Sequence, residues 1–260
     1  MNRWDAADYA RHSAGQERWG RELIAQLELR PTDDVLDIGC GDGRLTAAIA
    51  AQTTGCVLGV DSSADMIRHA TEHHAGGHLR FEVTDAAHLS YEAAFSRVFS
   101  NAALHWVPGA HAHVVAGVAR ALRPDGQALL QMGGRGNGEG IIAAFDAIKA
   151  GAQWRGYFVD FVFPYGFHAP DDYREWATQA GLLVRQADLL LKDMTYTDRT
   201  SFVGWLRTAW LPFVEPVPAG MREAYLEQVA DAYLAAHAPD DAGVIHVTMR
   251  RLQVRLAKPR

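Results

Sequence analysis

The stretch VLDIGCGDG at residues 35–43 constrains this chain more than any other segment. Val35, Leu36 and Ile38 read as a short buried strand. Gly39, Gly41 and Gly43 read as a turn, and Leu45, Ala48 and Ile49, at helical spacing, as the helix that follows. Glycines at such a junction let the backbone bend sharply and let a ligand lie against bare main chain. The first N–H groups of the helix are then directed at that ligand. Asp37 falls at the carboxyl end of the strand, where an open α/β sheet has its crevice.

Two more strands end the same way, the first of them apolar. VLGVD (57–61) closes on Asp61, and LRFEVTDA (79–86) carries Asp85 at its end. An acidic side chain after the second strand can accept from both ribose hydroxyls. Asp85 can accept from an exocyclic adenine amine, with Ala86 leaving room for the base. The plainer alternative makes these residues N-caps, since Asp61 precedes Ser62 and Ser63 and Asp85 precedes a short turn. The dinucleotide pattern G-x-G-x-x-G lacks its third glycine whether counted from Gly39 or Gly41. An acid two residues before the first glycine suits a cationic amine better than a pyrophosphate. S-adenosylmethionine carries that ammonium and no phosphate, and is the expected cofactor.

With these segments together, the chain resembles the class I S-adenosylmethionine-dependent methyltransferases. VLDIGCGDG is similar to their first motif, GVDSSADMI to their second and VTDAAHL to their third. FSNAALHWV (99–107) is similar to the segment after strand four in a small-molecule subgroup that includes trans-aconitate and juvenile hormone acid methyltransferases. The resemblance covers almost the whole chain. It implies cofactor contacts from Asp37, Gly39, Cys40, Gly41, Asp61, Ser62, Met66, Asp85, Ala86 and Asn101, with Tyr9 and His12 closing over the site. In the juvenile hormone acid relatives, a glutamine matching Gln16 and a tryptophan matching Trp106 hold the substrate carboxylate, which implies the same roles here.

The implied fold is α/β: a doubly wound, mostly parallel, Rossmann-like seven-stranded sheet, with an antiparallel last strand and a helical lid inserted before it. The residues themselves alternate in that sense. Strands are expected at 35–38, 57–60, 79–83, 95–100 and 127–132, and helices at 43–51, 64–74 and 110–122. Helices follow at 141–149 and from Pro170 to near Gly181, then strands at 182–196 and 244–257 that could pair antiparallel. Trp19, Leu23, Ile24 and Leu27 share one helical face in the segment before them. The expected domains are a helical cover (1–30), a cofactor-binding domain (31–196 and 241–260) and a substrate lid (197–240).

In the lid, Trp205, Arg207, Thr208, Trp210 and Phe213 are candidates for the inner surface. An arginine among tryptophans is suited to a planar carboxylate. Arg135, on the glycine-rich loop GGRGNGEG, is a second cation. A carboxylic acid is already ionised at neutral pH, so its methylation needs donors and alignment rather than a base. The leading expectation is therefore O-methylation of a free carboxylate on a small molecule, with Gln16, Trp106 and His105 as the catalytic set. The alternative is N-, C- or phenolic O-methylation with His105 as base. A third reading is a non-catalytic or NAD-linked nucleotide-binding protein.

A net charge of −6 argues against nucleic acid as a partner. No apolar run reaches membrane-spanning length and no signal peptide is seen, so the expectation is a cytoplasmic protein away from membranes. Cys40 and Cys56 are expected to be reduced and buried. The H-x-x-E-H match at 69–73 falls in a helix whose buried face is already claimed by Met66, Ile67 and Ala70, so no metal is expected. The methyl acceptor's identity and the oligomeric state are not legible in the sequence.

Overall fold

The apolar runs become strands and the amphipathic runs between them become helices. The computed structural model describes residues 14–260, with side chains from Trp19 onward. Tyr9 and His12 lie outside the described residues, and of Gln16 only the helical backbone is described. The order is α1 (Ala14–Ala25), β1 (Val35–Ile38), α2 (Arg44–Ala50), β2 (Val57–Asp61), α3 (Ala64–His74), β3 (Leu79–Val83), β4 (Phe95–Asn101), α4 (His111–Ala121) and β5 (Leu122–Gly133). Then come α5 (Glu139–Lys149), α6 (Pro170–Gln179), β6 (Leu183–Tyr196), α7 (Arg199–Ala209), α8 (Leu211–Val214), α9 (Arg222–Ala236) and β7 (Ile245–Ala257).

The seven strands form one sheet in the order β3-β2-β1-β4-β5-β7-β6. Strands β1 to β5 pair in parallel, and β7 runs antiparallel to β5. The chain leaves β1 through β2 to β3, then returns to place β4 on the other side of β1. That reversal opens a crevice at the carboxyl ends of β1 and β4, where open α/β sheets hold ligands.

Side chains alternate between two packed layers, as period-two strands require. Val35, Phe99 and Leu129 face a cluster with Leu23, Ile24, Leu27 and Ile49. Leu36, Val98 and Leu130 face the opposite one, with Val114, Val115, Val118 and Tyr173. Each such fully buried aliphatic or aromatic side chain contributes about 1.5–3 kcal/mol.

The chain divides into two compact units. A sheet unit holds residues 16–135, 165–190 and 251–260. A helical unit holds 136–164 and 191–250, so it contains the expected lid segment 197–240 together with α5 and the aromatic run after it. Its interior is aromatic: Phe145 lies 4.9 Å from Phe213 between ring centroids, and Trp154 lies 5.1 Å from Tyr225. Trp154 Nε1 donates to Gln228 Oε1 (2.9 Å).

Two expectations need correction. Strand β5 begins at Leu122 rather than 127, because Leu122 pairs with Phe95 and a register shift before Arg97 absorbs the Pro-Asp-Gly turn, where Asp125 takes φ 62°. Cys56 is exposed rather than buried; it precedes β2, with its N–H donated to Asp34 Oδ1 (2.7 Å). Cys40 is buried as expected.

Candidate active site

The loop after β1 is built by its glycines. Gly39 (φ 73°), Gly41 (55°) and Gly43 (83°) all take left-handed backbone that side chains resist. Gly39 and Gly43 are also sterically required. A Cβ at Gly39 would fall 2.1 Å from Ala103 Cβ, and one at Gly43 2.8 Å from Ala70 Cβ. At Gly41 a Cβ would meet open space. Packing therefore fixes two glycines, and the third leaves bare backbone facing a space a ligand can enter.

The loop is tied to β2. Gly39 and Cys40 donate their N–H groups to the Val60 carbonyl (2.7 and 3.0 Å), and Gly41 N–H donates to Asp61 Oδ2 (3.1 Å). Asp61 Oδ1 accepts from Ser63 N–H (2.9 Å), while Ser63 Oγ caps α3 by accepting from Met66 N–H (3.3 Å). A carboxylate has about four acceptor positions, so Asp61 keeps capacity for further donors. Burial raises its pKa above the ordinary carboxylate value.

Asp37 is 2% exposed. Its one hydrogen-bond partner among the described side chains is Thr46, whose Oγ1 donates to Oδ2 at 2.7 Å. Burial, and the nearby charge of Asp61, push its pKa up to about 7, against the lowering effect of Thr46. Two desolvated carboxylates beside an open glycine backbone make a site that disfavours anions and rewards cations. Asp85 behaves locally as a cap: its Oδ1 accepts from Ala87 N–H (2.9 Å), beside His88, and its side chain is half exposed. Ala86 follows in the same short turn. Asn101 ends β4 and Gly20 of α1 packs near it, a Cβ there falling 3.0 Å from Asn101 Nδ2.

The methyltransferase-domain family matches residues 35–126, the span that carries these strands and loops. An uncharacterized methyltransferase of Schizosaccharomyces pombe is 30% identical over 261 residues, covering 96% of each chain. The chain belongs to the class I S-adenosylmethionine-dependent methyltransferases. Trans-aconitate 2-methyltransferase of Methylobacterium nodulans is 29% identical over 267 residues, covering 97% of each chain. Among solved structures, the YcgJ protein of Bacillus subtilis superposes with a TM-score of 0.64 at 17% identity, covering 94% of this methyltransferase and 99% of that chain. A phosphoethanolamine N-methyltransferase of Haemonchus contortus, solved with S-adenosylhomocysteine, gives 0.62 at 19% identity, covering 98% and 57%. These likenesses are to the fold. The cofactor of the methyltransferase is S-adenosylmethionine.

Beyond β4, Leu104–Trp106 form a 3-10 turn at the crevice. Trp106 is half-buried, with its ring 4.8 Å from Tyr165 and edge-on to it. His105 is buried, and its Nδ1 accepts from Gly133 N–H at 3.4 Å, the long end of the hydrogen-bond range. Burial first, then the charges of Arg251 and His111, hold its pKa well below the usual histidine value. It is a neutral imidazole whose lone pair is spoken for and whose proton sits on Nε2.

The remaining expected residues have these surroundings. Trp205 and Trp210 are each 3% exposed and sit inside the helical unit, 6.0 Å apart, with Trp205 also 5.3 Å from Tyr196. What the described contacts show for them is core packing. Arg207 reaches Glu223 at 3.9 Å and is partly exposed. Arg135 is 68% exposed and reaches Asp172 at 3.4 Å. Its loop is anchored, because Arg135 N–H donates to the His168 carbonyl (2.8 Å). Sequence reasoning passed over Arg251. It is 6% exposed, stands in register with Gly133, and acts on His105 electrostatically.

Proposed function

We propose that this methyltransferase esterifies a free carboxylate of a small organic acid. The observation that carries the reading is the state of His105. The nearest candidate base has its lone pair on a backbone N–H and pays desolvation on protonation, so it is suited to donating a hydrogen bond and poorly suited to taking a proton. A carboxylate acceptor needs no base. Similarity over nearly the full length to trans-aconitate 2-methyltransferases supports the same reading.

The residues present fit the cofactor. Asp61 would hold the ribose hydroxyls, Asp85 and Ala86 the adenine edge, Asp37 the cationic end, and Gly39, Cys40 and Gly41 the backbone floor. Ser62, Met66 and Asn101 would complete the wall. Bound S-adenosylmethionine supplies a methyl group already activated as a sulfonium. The protein's remaining work is to align the acceptor oxygen and exclude water. The Trp106 indole and the His105 Nε2–H are donors at the crevice that can orient a carboxylate. Gln16 belongs to the same proposal through its place on α1.

The test is incubation with methyl-labelled S-adenosylmethionine and a panel of organic acids, phenols and amines. Base-labile label on acids supports the reading. Label on phenols or amines alone, abolished by His105→Ala, establishes the alternative in which His105 is the base.

A further inference from the structure

The aromatic run at residues 154–168 is divided between the two units, and its last members, Tyr165 and Phe167, belong to the sheet unit. Backbone contacts decide where on that unit they lie. His168 forms a parallel bridge with Gly134, the residue after β5, and its carbonyl accepts the Arg135 N–H at 2.8 Å. Gly166 N–H donates to the His105 carbonyl at 2.8 Å. Residues 165–168 therefore cross from the carboxyl end of β5 to the turn after β4, along the rim where the crevice opens.

The crossing is held from behind as well. A Cβ on Gly166 would fall 2.4 Å from His111 Nε2, so only bare backbone passes there. His168 is steadied by Asp172, whose Oδ2 lies 3.3 Å from its Nδ1. In extended chain, residues 165 and 167 project to one side. Their rings stack, with centroids 5.1 Å and planes 6° apart. Both lie close to His105, at 5.8 and 5.9 Å, and Tyr165 meets Trp106 edge-on at 4.8 Å. Tyr165 is buried beneath the other two, while Trp106 and Phe167 are half-buried and keep some ring surface exposed. Just ahead of Trp106, Ala103 packs against Gly39 of the cofactor loop, where a Cβ on that glycine would fall 2.1 Å from its own. The rings and the cofactor loop are thus neighbours in space.

Rings fixed in advance lose little freedom when a flat ligand meets them. They also offer an aromatic group offset-stacked or edge-on contacts that a saturated ring does not make. We propose that Phe167 and Trp106, backed by Tyr165, form the acceptor wall and select an aryl monocarboxylic acid. The aryl ring lies against the wall, and the carboxylate reaches the Trp106 indole N–H and the His105 Nε2–H. Rings make up the surface beside those two donors, which suits one anionic group on an apolar body. This assignment rests on the carboxylate reading above and narrows it to a class of acid.

The test offers matched acids to the enzyme with methyl-labelled S-adenosylmethionine: benzoic against cyclohexanecarboxylic acid, and cinnamic acid against its cyclohexyl counterpart. The saturated rings carry more apolar surface, so burial alone favours them. Wild type should instead favour the aryl partner about 5-fold or more in kcat/KM, the gain from two aromatic contacts. Phe167→Leu should cut that preference about 2- to 12-fold, through KM, with little change on the cyclohexyl acids. Tyr165→Phe keeps the ring and should keep the preference. So should the control Tyr157→Leu, which alters an exposed ring of the helical unit. Calorimetric titration of the better aryl acid into the protein–S-adenosylhomocysteine complex should show the same loss in Phe167→Leu, and S-adenosylhomocysteine alone reports whether each variant is folded. A wild type that uses the cyclohexyl acids equally well, accepts neither pair, or takes citric acid over both overturns the assignment while carboxylate methylation stands, and needs no variant. A preference untouched in a folded Phe167→Leu overturns it too. Label on phenols or amines alone overturns both readings.

Discussion

Asp37 gives the most quantitative handle on the cofactor site. It is a fully buried carboxyl, relieved among the described residues by the Thr46 hydroxyl at 2.7 Å and opposed by the neighbouring charge of Asp61, and its pKa is pushed up to about 7. S-adenosylmethionine brings a sulfonium and an ammonium against one carboxylate, a net positive charge. Its arrival favours the ionised form of Asp37, so binding and deprotonation are linked. Below pH 7 the cofactor must first displace a proton; above it the carboxylate is ready. Taking the free-protein pKa as about 7 and the complex as ordinary, the apparent Kd scales as 1 + 10^(7−pH). Affinity then falls up to about 25-fold between pH 7.5 and pH 5.5, with close to one proton released per binding event near pH 6. Calorimetry in two buffers of different ionisation enthalpy measures both quantities. Asp37→Asn should flatten the pH profile and abolish the proton release. A wild-type affinity that changes less than twofold over this range, with no proton released, refutes the reasoning.

Other outcomes follow from the same geometry. Asp61→Asn should weaken cofactor binding about 10- to 100-fold, since it weakens both the Gly41 loop contact and the acceptor for the ribose, as calorimetry would show. Gly39→Ala forces a Cβ to 2.1 Å from Ala103 in a left-handed turn and should cost roughly 2–4 kcal/mol of stability in urea unfolding. Asp37→Asn should also stabilise the cofactor-free protein. The folded-state pKa is raised above the ordinary carboxylate value of about 4, so the wild type loses stability as pH rises from about 4 to about 7, and the melting-temperature gain should appear at pH 8 and vanish near pH 4.

Much of this molecule could be read from its residues. Helix α3 and strand β3 fall on the expected bounds because Met66, Ile67 and Ala70 make a clean buried face and Leu79–Val83 alternates apolar and charged residues between turns. The glycine loop was legible for the same reason: the backbone positions that need φ above zero are written as glycines. The failures come from tertiary context. Pro124 and Gly126 look like a turn before a strand, yet pairing with Phe95 carries the strand through them. Cys56 looks like a small buried residue, but it stands ahead of β2 where water reaches. The tryptophans of α7 and its end look like a ligand surface, and their described ring contacts are with one another and with Tyr196, Phe202, Phe145 and Phe213, which leaves their role toward a ligand to experiment.

The central claim is that the β1 loop and the strand-end aspartates seat the adenosyl group. A crystal structure of the protein with S-adenosylhomocysteine tests it directly. The ribose hydroxyls should lie within hydrogen-bond distance of Asp61, the adenine amine beside Asp85, and the amino acid end over Gly41 toward Asp37. A nucleoside bound anywhere else, with these three carboxylates left to their own backbone partners, would contradict it.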